Sequence, residues 1–295
     1  MKIVYYTSGI SGLGRLVHGI ALYNAFHRRG LSDFSFKIIH SAPEKQSRVL
    51  DRTGISHQHV PPEIPGSDDS PLLSVLRKLS PDITIVDRMW MSVQDLRDRI
   101  PGKVVFITSR VNEDFFYIEN NAYRKFQPQL YDAVLTSEPF RFPFAHTEIN
   151  PLIIRTHEEI LPESAARAAL IECMKHYDQK KPICFIGVNY APGFLKKFKE
   201  LYSYLEEMYN VVYSTNMDGG GIFPIADYYN AIDYMVCSAT YNFYWEARYF
   251  NKEAVFVPVP VLHCDQQARL DEAADFSFEE NGADQLVDIL LNLPN

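Results

Sequence analysis

Strand-sized apolar runs alternate with helix-period segments along this chain, and they do so in two successive series. In the amino half the strand candidates are Ile3 to Thr7, Phe36 to His40, Ile83 to Asp87, Val104 to Thr108 and Ala133 to Ser137. Runs this continuously apolar suit strands covered on both faces, as in a parallel sheet. Between the first two, Val17, Ile20, Ala21, Leu22 and Ala25 form a helical stripe that ends on His27-Arg28-Arg29-Gly30, a basic last turn and a glycine stop. Asp68, Asp69, Ser70 and Pro71 open a second helix carrying Leu72, Leu73, Leu76 and Leu79. Such alternation builds βαβ units, and hence a doubly wound α/β domain. The proline-rich segment His57 to Ser70 reads as a loop.

The second series has strand candidates at Ile183 to Val188, Val211 to Ser214, Tyr234 to Cys237 and Ala254 to Val257. A polar, Ala-rich helix from Glu163 to about Tyr177 precedes it. Pro192-Gly193 leads into a helix on which Phe194, Phe198, Leu201, Leu205 and Met208 share a face, and Ala283 to Leu290 reads as a closing helix. At 295 residues the chain exceeds what one hydrophobic core usually supports. The expectation is two Rossmann-like domains, residues 1–155 and 156–295, each with its own parallel sheet.

A formal net charge of -8 argues against general attraction to nucleic acid or anionic lipid. Met1-Lys2 is followed at once by a strand-like run instead of a signal-type apolar segment, and no stretch approaches the ~18 apolar residues of a membrane span. A cytoplasmic protein is expected. Phe115-Phe116-Tyr117 and Phe140 to Phe144 are the candidates for peripheral membrane contact. Cys173, Cys184, Cys237 and Cys264 are widely spaced, which fits reduced thiols and shows no zinc pattern. His57-Gln58-His59 alternates as metal ligands can, but without a third ligand, so no metal is expected.

Two segments fall at carboxyl edges of the expected sheets, where open α/β folds bind ligands. The first is the turn Ser8-Gly9-Ile10-Ser11-Gly12-Leu13-Gly14-Arg15. It is not a dinucleotide fingerprint, because Val17 occupies the third glycine position and the second strand closes on Ile38-Ile39-His40 without an acid. The second is Cys237-Ser238-Ala239-Thr240-Tyr241-Asn242-Phe243-Tyr244-Trp245-Glu246, followed by Val257-Pro258 and Asp265-Gln266. It reads as a strand end, a helix-opening turn, a helix, a second strand and a polar loop. The aromatic run from Tyr241 to Phe250 reads as core packing.

These residues resemble the GT-B glycosyltransferases, and within them the UDP-sugar-dependent group that includes the bacterial N-acetylglucosaminyltransferase of peptidoglycan synthesis. That group carries Ala-Gly-Tyr-Asn-Thr-x-x-Glu after a strand, then an apolar strand ending in proline, then an acid-Gln pair. Here the counterparts are Ala239 to Glu246, Val257-Pro258 and Asp265-Gln266, with Phe223 to Asp233 similar to the lead-in. Gly12-Leu13-Gly14-Arg15-Leu16-Val17-His18 resembles the family's Gly-x-Gly-His-x-x-Arg with Arg and His exchanged.

The resemblance implies two domains facing across a cleft, a nucleotide-sugar donor in the carboxyl half, a hydroxyl acceptor in the amino half, and an inverting transfer that needs neither metal nor cofactor. It implies that the helix start at Thr240, Tyr241 and Asn242 receives the diphosphate, that Glu246 holds the ribose and that Asp265 and Gln266 hold the sugar. Asn189 sits in a loop similar to the family's glycine-rich one. Gly12, Gly14 and Arg15 are implied in substrate binding, with Arg15 suited to a phosphate or carboxylate. His18 is the candidate base, and Glu113 and Asp114 are the alternatives. Nucleotide or glycan binding without turnover, and sugar-nucleotide hydrolysis or epimerisation, are the competing activities on such a fold.

Overall fold

β1 (Lys2–Thr7) alternates its side chains between two buried surfaces, Ile3 and Tyr5 on one side and Val4 and Tyr6 on the other, so its position is central in a covered sheet. In the computed structural model, residues 1–7, 13–62, 70–119, 123–191, 193–217, 220–261 and 264–294 are described. The other strands of the amino half are β2 (Ser35–His40), β3 (Ser56–His59), β4 (Ile83–Asp87), β5 (Lys103–Thr108), the hairpin pair β6 (Tyr117–Glu119) and β7 (Tyr123–Lys125), β8 (Ala133–Thr136) and β9 (Thr147–Glu148). Seven of them form one parallel sheet in the order β3-β2-β1-β4-β5-β8-β9. The carboxyl half has a four-stranded parallel sheet from β10 (Ile183–Gly187), β11 (Asn210–Ser214), β12 (Tyr234–Ser238) and β13 (Ala254–Val257), in the order β11-β10-β12-β13.

The helices are α1 (Gly14–Arg28), α2 (Glu44–Asp51), α3 (Pro71–Leu79), α4 (Trp90–Gln94), α5 (Glu163–Glu172), α6 (Phe194–Tyr202), α7 (Tyr241–Tyr249), α8 (Gln266–Glu272) and α9 (Gly282–Leu291). α3 starts as its sequence dictates: Ser70 caps Leu73 N at 2.9 Å and Pro71 takes the first turn, where its missing N–H costs nothing. α1 is buried on more than one side because it packs on β1 and β2 and also against α7 and α9. One hydrophobic cluster therefore runs from the inner face of the first sheet, through α1 and α7, to the second sheet. Separate clusters cover the outer faces of the two sheets.

Several expectations are corrected. His57 to His59 lie in β3, because the polar strand needs only β2 as a hydrogen-bonding neighbour at the sheet edge. The helix expected to reach Tyr177 ends at Glu172. α6 gives way to a 3-10 turn at Ser203–Glu207, and the expected apolar stripe is only partly buried: Phe198 and Leu205 are buried, whereas Leu201, within α6, and Met208, after the turn, are 62% and 54% exposed. Of the residues considered for membrane contact, Phe115, Phe116 and Phe142 are buried in the outer cluster, Phe140 and Phe144 pack on it, and Tyr117 is 36% exposed. Among the described residues no helix is long and apolar enough to cross a membrane.

The two halves are joined by buried polar contacts. Glu138, just after β8, accepts from Arg110 N at 2.6 Å, Trp245 Nε1 at 2.7 Å and Arg269 Nε and Nη2 at 2.7 and 2.9 Å. Burial alone would raise this carboxyl, but the Arg269 charge and the donated hydrogen bonds hold it below its ordinary range. α9 returns to the amino half, where Arg28 pairs with Asp284 and Glu159 and Arg29 with Asp288.

Candidate functional site

Strand order creates one topological switch point in each sheet. In the first, β1 has β2 on one side and β4 on the other, so the carboxyl ends of β1 and β4 flank a crevice; in the second, β10 and β12 do the same. The two crevices face each other. A cavity of about 350 Å³ lies between them, lined from the amino half by Gly14, Arg15, His18, Arg88 and Ser109 and from the carboxyl half by Asn189, Asn216, Thr240 to Phe243, Glu246, Gln266 and Arg269. That volume is within the range of small-ligand sites.

On the amino side His18, one turn into α1, is 3% exposed and presents Nδ1 to Asp87 Oδ2 at 3.3 Å. Asp87 ends β4 and also accepts from the Tyr5 hydroxyl at 2.7 Å. Burial would raise the Asp87 carboxyl, but the His18 hydrogen bond and charge, with Arg15 and Arg88 beside them, keep it below its ordinary range. Nδ1 faces the carboxylate, so in the neutral imidazole it carries the proton and Nε2 the lone pair. His18 Nε2 is buried and has no hydrogen-bond partner among the described residues. Exchanging Arg and His in the motif keeps both on the cavity, because positions 15 and 18 share a helix face.

On the carboxyl side α7 begins at Thr240, whose extended backbone (φ -72°) needs no glycine and whose side chain does not cap the helix. Asn242 donates to Gly14 O at 3.4 Å, so the first turns of α7 and α1 abut; its Oδ1 is buried without a partner among the described residues. Tyr241 spends its hydroxyl joining the halves, donating to Ser137 O and accepting from Leu152 N, each at 2.8 Å, while its ring packs on His18 at 4.4 Å. Glu246 is 3% exposed, lines the cavity, and contacts the Tyr229 hydroxyl at 3.4 Å. Burial pushes its carboxyl up to about 8. Asn189 accepts from Asn216 N at 2.7 Å, and Gln266 from Val259 N at 3.0 Å, both on the cavity wall.

Three sequence candidates stand elsewhere. Asp265 is exposed and caps α8 by accepting from Ala268 N at 3.0 Å, which is what a carboxylate beside uncapped helix amides does; it does not line the cavity. Asp114 is exposed on the 3-10 turn Glu113–Phe116, with Glu113 beside it, and neither lines the cavity. Gly12 lies outside the described residues. Arg88, Ser109, Asn216 and Arg269 line the site without having been singled out. Arg88 was accessible to the same reasoning, since it directly follows a strand at the switch point. His40, on β2, brings Nε2 to 3.4 Å from His57 Nδ1, yet among the described residues no group of three or more His, Cys, Asp or Glu could hold a metal.

No known family model and no curated protein sequence matches this chain. Solved structures do. The Streptomyces sp. SF2575 glycosyltransferase SsfS6 complexed with thymidine diphosphate aligns with a TM-score of 0.59 at 12% identity, over 100% of this chain and 96% of that one. Glycosyltransferase VinC in complex with DTDP aligns with a TM-score of 0.59 at 12% identity over 99% and 91%. Acinetobacter baumannii MurG aligns with a TM-score of 0.53 at 14% identity over 99% and 91%. With its two parallel-sheet α/β halves and their facing switch points, the chain has the GT-B fold that these glycosyltransferases share.

Proposed function

We propose that the protein is a glycosyltransferase that moves a sugar from a nucleoside diphosphate donor, UDP being the favoured carrier, to a hydroxyl acceptor with inversion. The observation that carries this reading is the His18–Asp87 pair, a buried imidazole held by a carboxylate on the wall of a cavity whose opposite wall is the uncapped start of α7 and the buried carboxyl of Glu246. The first-turn amides and dipole of α7 suit a diphosphate. Among the described residues Glu246 has a single long phenolic contact, so ribose hydroxyls would supply further hydrogen bonds. Asn189 and Gln266 are the remaining polar groups suited to the sugar. In the reaction the acceptor oxygen forms a bond to the anomeric carbon as its proton passes to His18 Nε2; the bond to the diphosphate breaks, and the departing phosphate keeps the electron pair near α7. Asp87 stabilises the resulting imidazolium. Because Nε2 is shielded, its use requires the wall around it to part, a step that relative movement of two halves supplies.

The test is nucleotide binding followed by turnover. UDP or TDP at about 100 times its dissociation constant should stabilise the protein by about 2.7 kcal/mol in thermal melts. Release of nucleoside diphosphate from a UDP- or TDP-sugar should then depend on an added hydroxyl acceptor. Binding without release in a broad acceptor screen would make the protein a nucleotide binder, release in plain buffer a hydrolase, and absence of binding would remove the reading.

A further inference from the structure

α6 and the 3-10 turn after it carry apolar side chains on two sides. Phe198 and Leu205 enter the cluster on the outer face of the second sheet, where α6 packs on β11. That contact satisfies the one apolar face a surface helix needs. Leu201, Tyr204 and Met208 stand outside it at successive spacings of three and four, and are 62%, 57% and 54% exposed. They are three of the seven large hydrophobic residues exposed among the described residues, and all three fall within one eight-residue stretch. Scattered singly, such residues need no explanation, whereas gathered together they mark a contact surface.

Charge identifies what fits there. Lys196, Lys197 and Lys199 precede the apolar group, Glu206 and Glu207 lie at its carboxyl end, and all five are exposed. Glu200 meets Lys196 at 3.9 Å. Residues 194–208 thus hold three cations and three anions, with unlike charges toward opposite ends. An anionic bilayer would meet the two glutamates beside Met208 and a molecule of net charge -8. A second copy, turned so that the two stretches run antiparallel, instead sets its glutamates against these lysines and its apolar centre against this one. Each contact then occurs twice, as isologous pairing requires.

We propose that two copies of the chain associate through the exposed side of α6 and Ser203–Glu207, antiparallel about a two-fold axis near Tyr202, with Lys197 of each copy beside the partner's Glu207. The surface is remote from the chemistry, since no described residue between 190 and 216 lines the cavity. The inference therefore stands independently of the transferase reading.

Sedimentation velocity of the full chain over a concentration series tests it. The parent should pass from monomer to dimer with a dissociation constant in the micromolar range, as suits an interface of few side chains. Leu201→Glu should weaken association by about tenfold or more, and Leu291→Glu, at an exposed position on α9, should leave it unchanged. Lys197→Glu and Glu207→Lys should each weaken self-association by about fivefold or more, because each sets like charges together twice. An equimolar mixture of these two variants should dimerise again, to within about threefold of the parent, because unlike charges then meet at both ends. A parent that stays monomeric overturns the proposal. So does a dimer indifferent to Leu201→Glu, a mixture that associates no better than its components, or a dimer broken by Val255→Glu on the free edge of β13 in place of Leu201→Glu. A monomeric parent that cosediments with phosphatidylglycerol vesicles, and loses this with Leu201→Glu, would give the surface to lipid and exclude the second copy. Every substituted side chain is exposed, so no core is emptied, and melting curves establish that each variant is folded.

Discussion

At the scale of single residues, the site depends on groups whose surroundings leave them incompletely satisfied. His18 Nε2, Arg88 Nε and Asn242 Oδ1 are buried without partners among the described residues, and all three residues border the same cavity. Unmade hydrogen bonds cost about 1–3 kcal/mol each, so their concentration at one place favours a ligand that makes them. His18→Ala should lower turnover by about 10²–10⁴-fold while nucleotide affinity holds, the signature of a lost base; Asp87→Asn should follow it in direction. Glu246 gives a test needing no substrate. Its carboxyl is held near 8 in the folded protein and returns to the ordinary carboxylate range on unfolding. Between those values the folded state keeps a proton that the unfolded chain has lost, so stability falls as pH rises through that window. Glu246→Gln should remove that slope and make the ligand-free protein more stable than the parent at pH 8 and above, by on the order of a few kcal/mol, with the difference vanishing toward pH 4. Parallel melting curves for the two proteins across this range would contradict the assignment.

How far the site could be read from sequence follows from what each residue depends on. Glu246, Gln266, Asn189, Thr240 and Asn242 sit in or just after local βα turns, so strand and helix assignment was enough to bring them to the cavity. Asp265 was misplaced because an acid at a helix start can serve the helix's own amides, and sequence does not say which donors it meets. Asp114 was misplaced because a loop following a strand can turn away from the sheet edge. The Asp87–His18 contact joins residues far apart in the chain, and its geometry exists only once β1, β4 and α1 are packed.

At the scale of elements, apolar strands were legible, the edge strands β11 and β13 included, and short polar ones were not. β1, β2, β4, β5, β10 and β12 are mostly buried on both sides and announce themselves by composition. β3, β9 and the β6–β7 hairpin are short and largely polar, and neighbouring backbone supports them. α9 depends on a close approach: a Cβ on Gly282 would fall 1.7 Å from Asn150 O, a backbone atom that cannot rotate away. Gly282→Ala should therefore displace the start of α9 and cost about 1–3 kcal/mol in denaturant unfolding. A loss within a few tenths of that for a surface alanine would show that α9 starts elsewhere.

For the whole molecule, the boundary between the halves is a packed, partly ionic core. Removing one member of the Glu138–Arg269 pair leaves an uncompensated buried charge. Arg269→Ala should accordingly destabilise the protein by about 3–5 kcal/mol, more than expected for any surface arginine, and urea unfolding would measure it. Arg28 holds Glu159 and Asp284 together at the other end of the boundary. Residues of α1 and α7 line the same cavity, so if the proposed donor binds there it should slow backbone amide exchange in α1 as well as α7.

The return of α9 to α1 also affects how the molecule is made. During synthesis the first sheet leaves the ribosome well before residues 282–291 exist, so the side of α1 that α9 later covers stays wet while the rest of the chain is translated. The amino half cannot reach its final state until the last helix clears the exit tunnel, and a nascent chain stalled before that point should be a preferred client of apolar-binding chaperones.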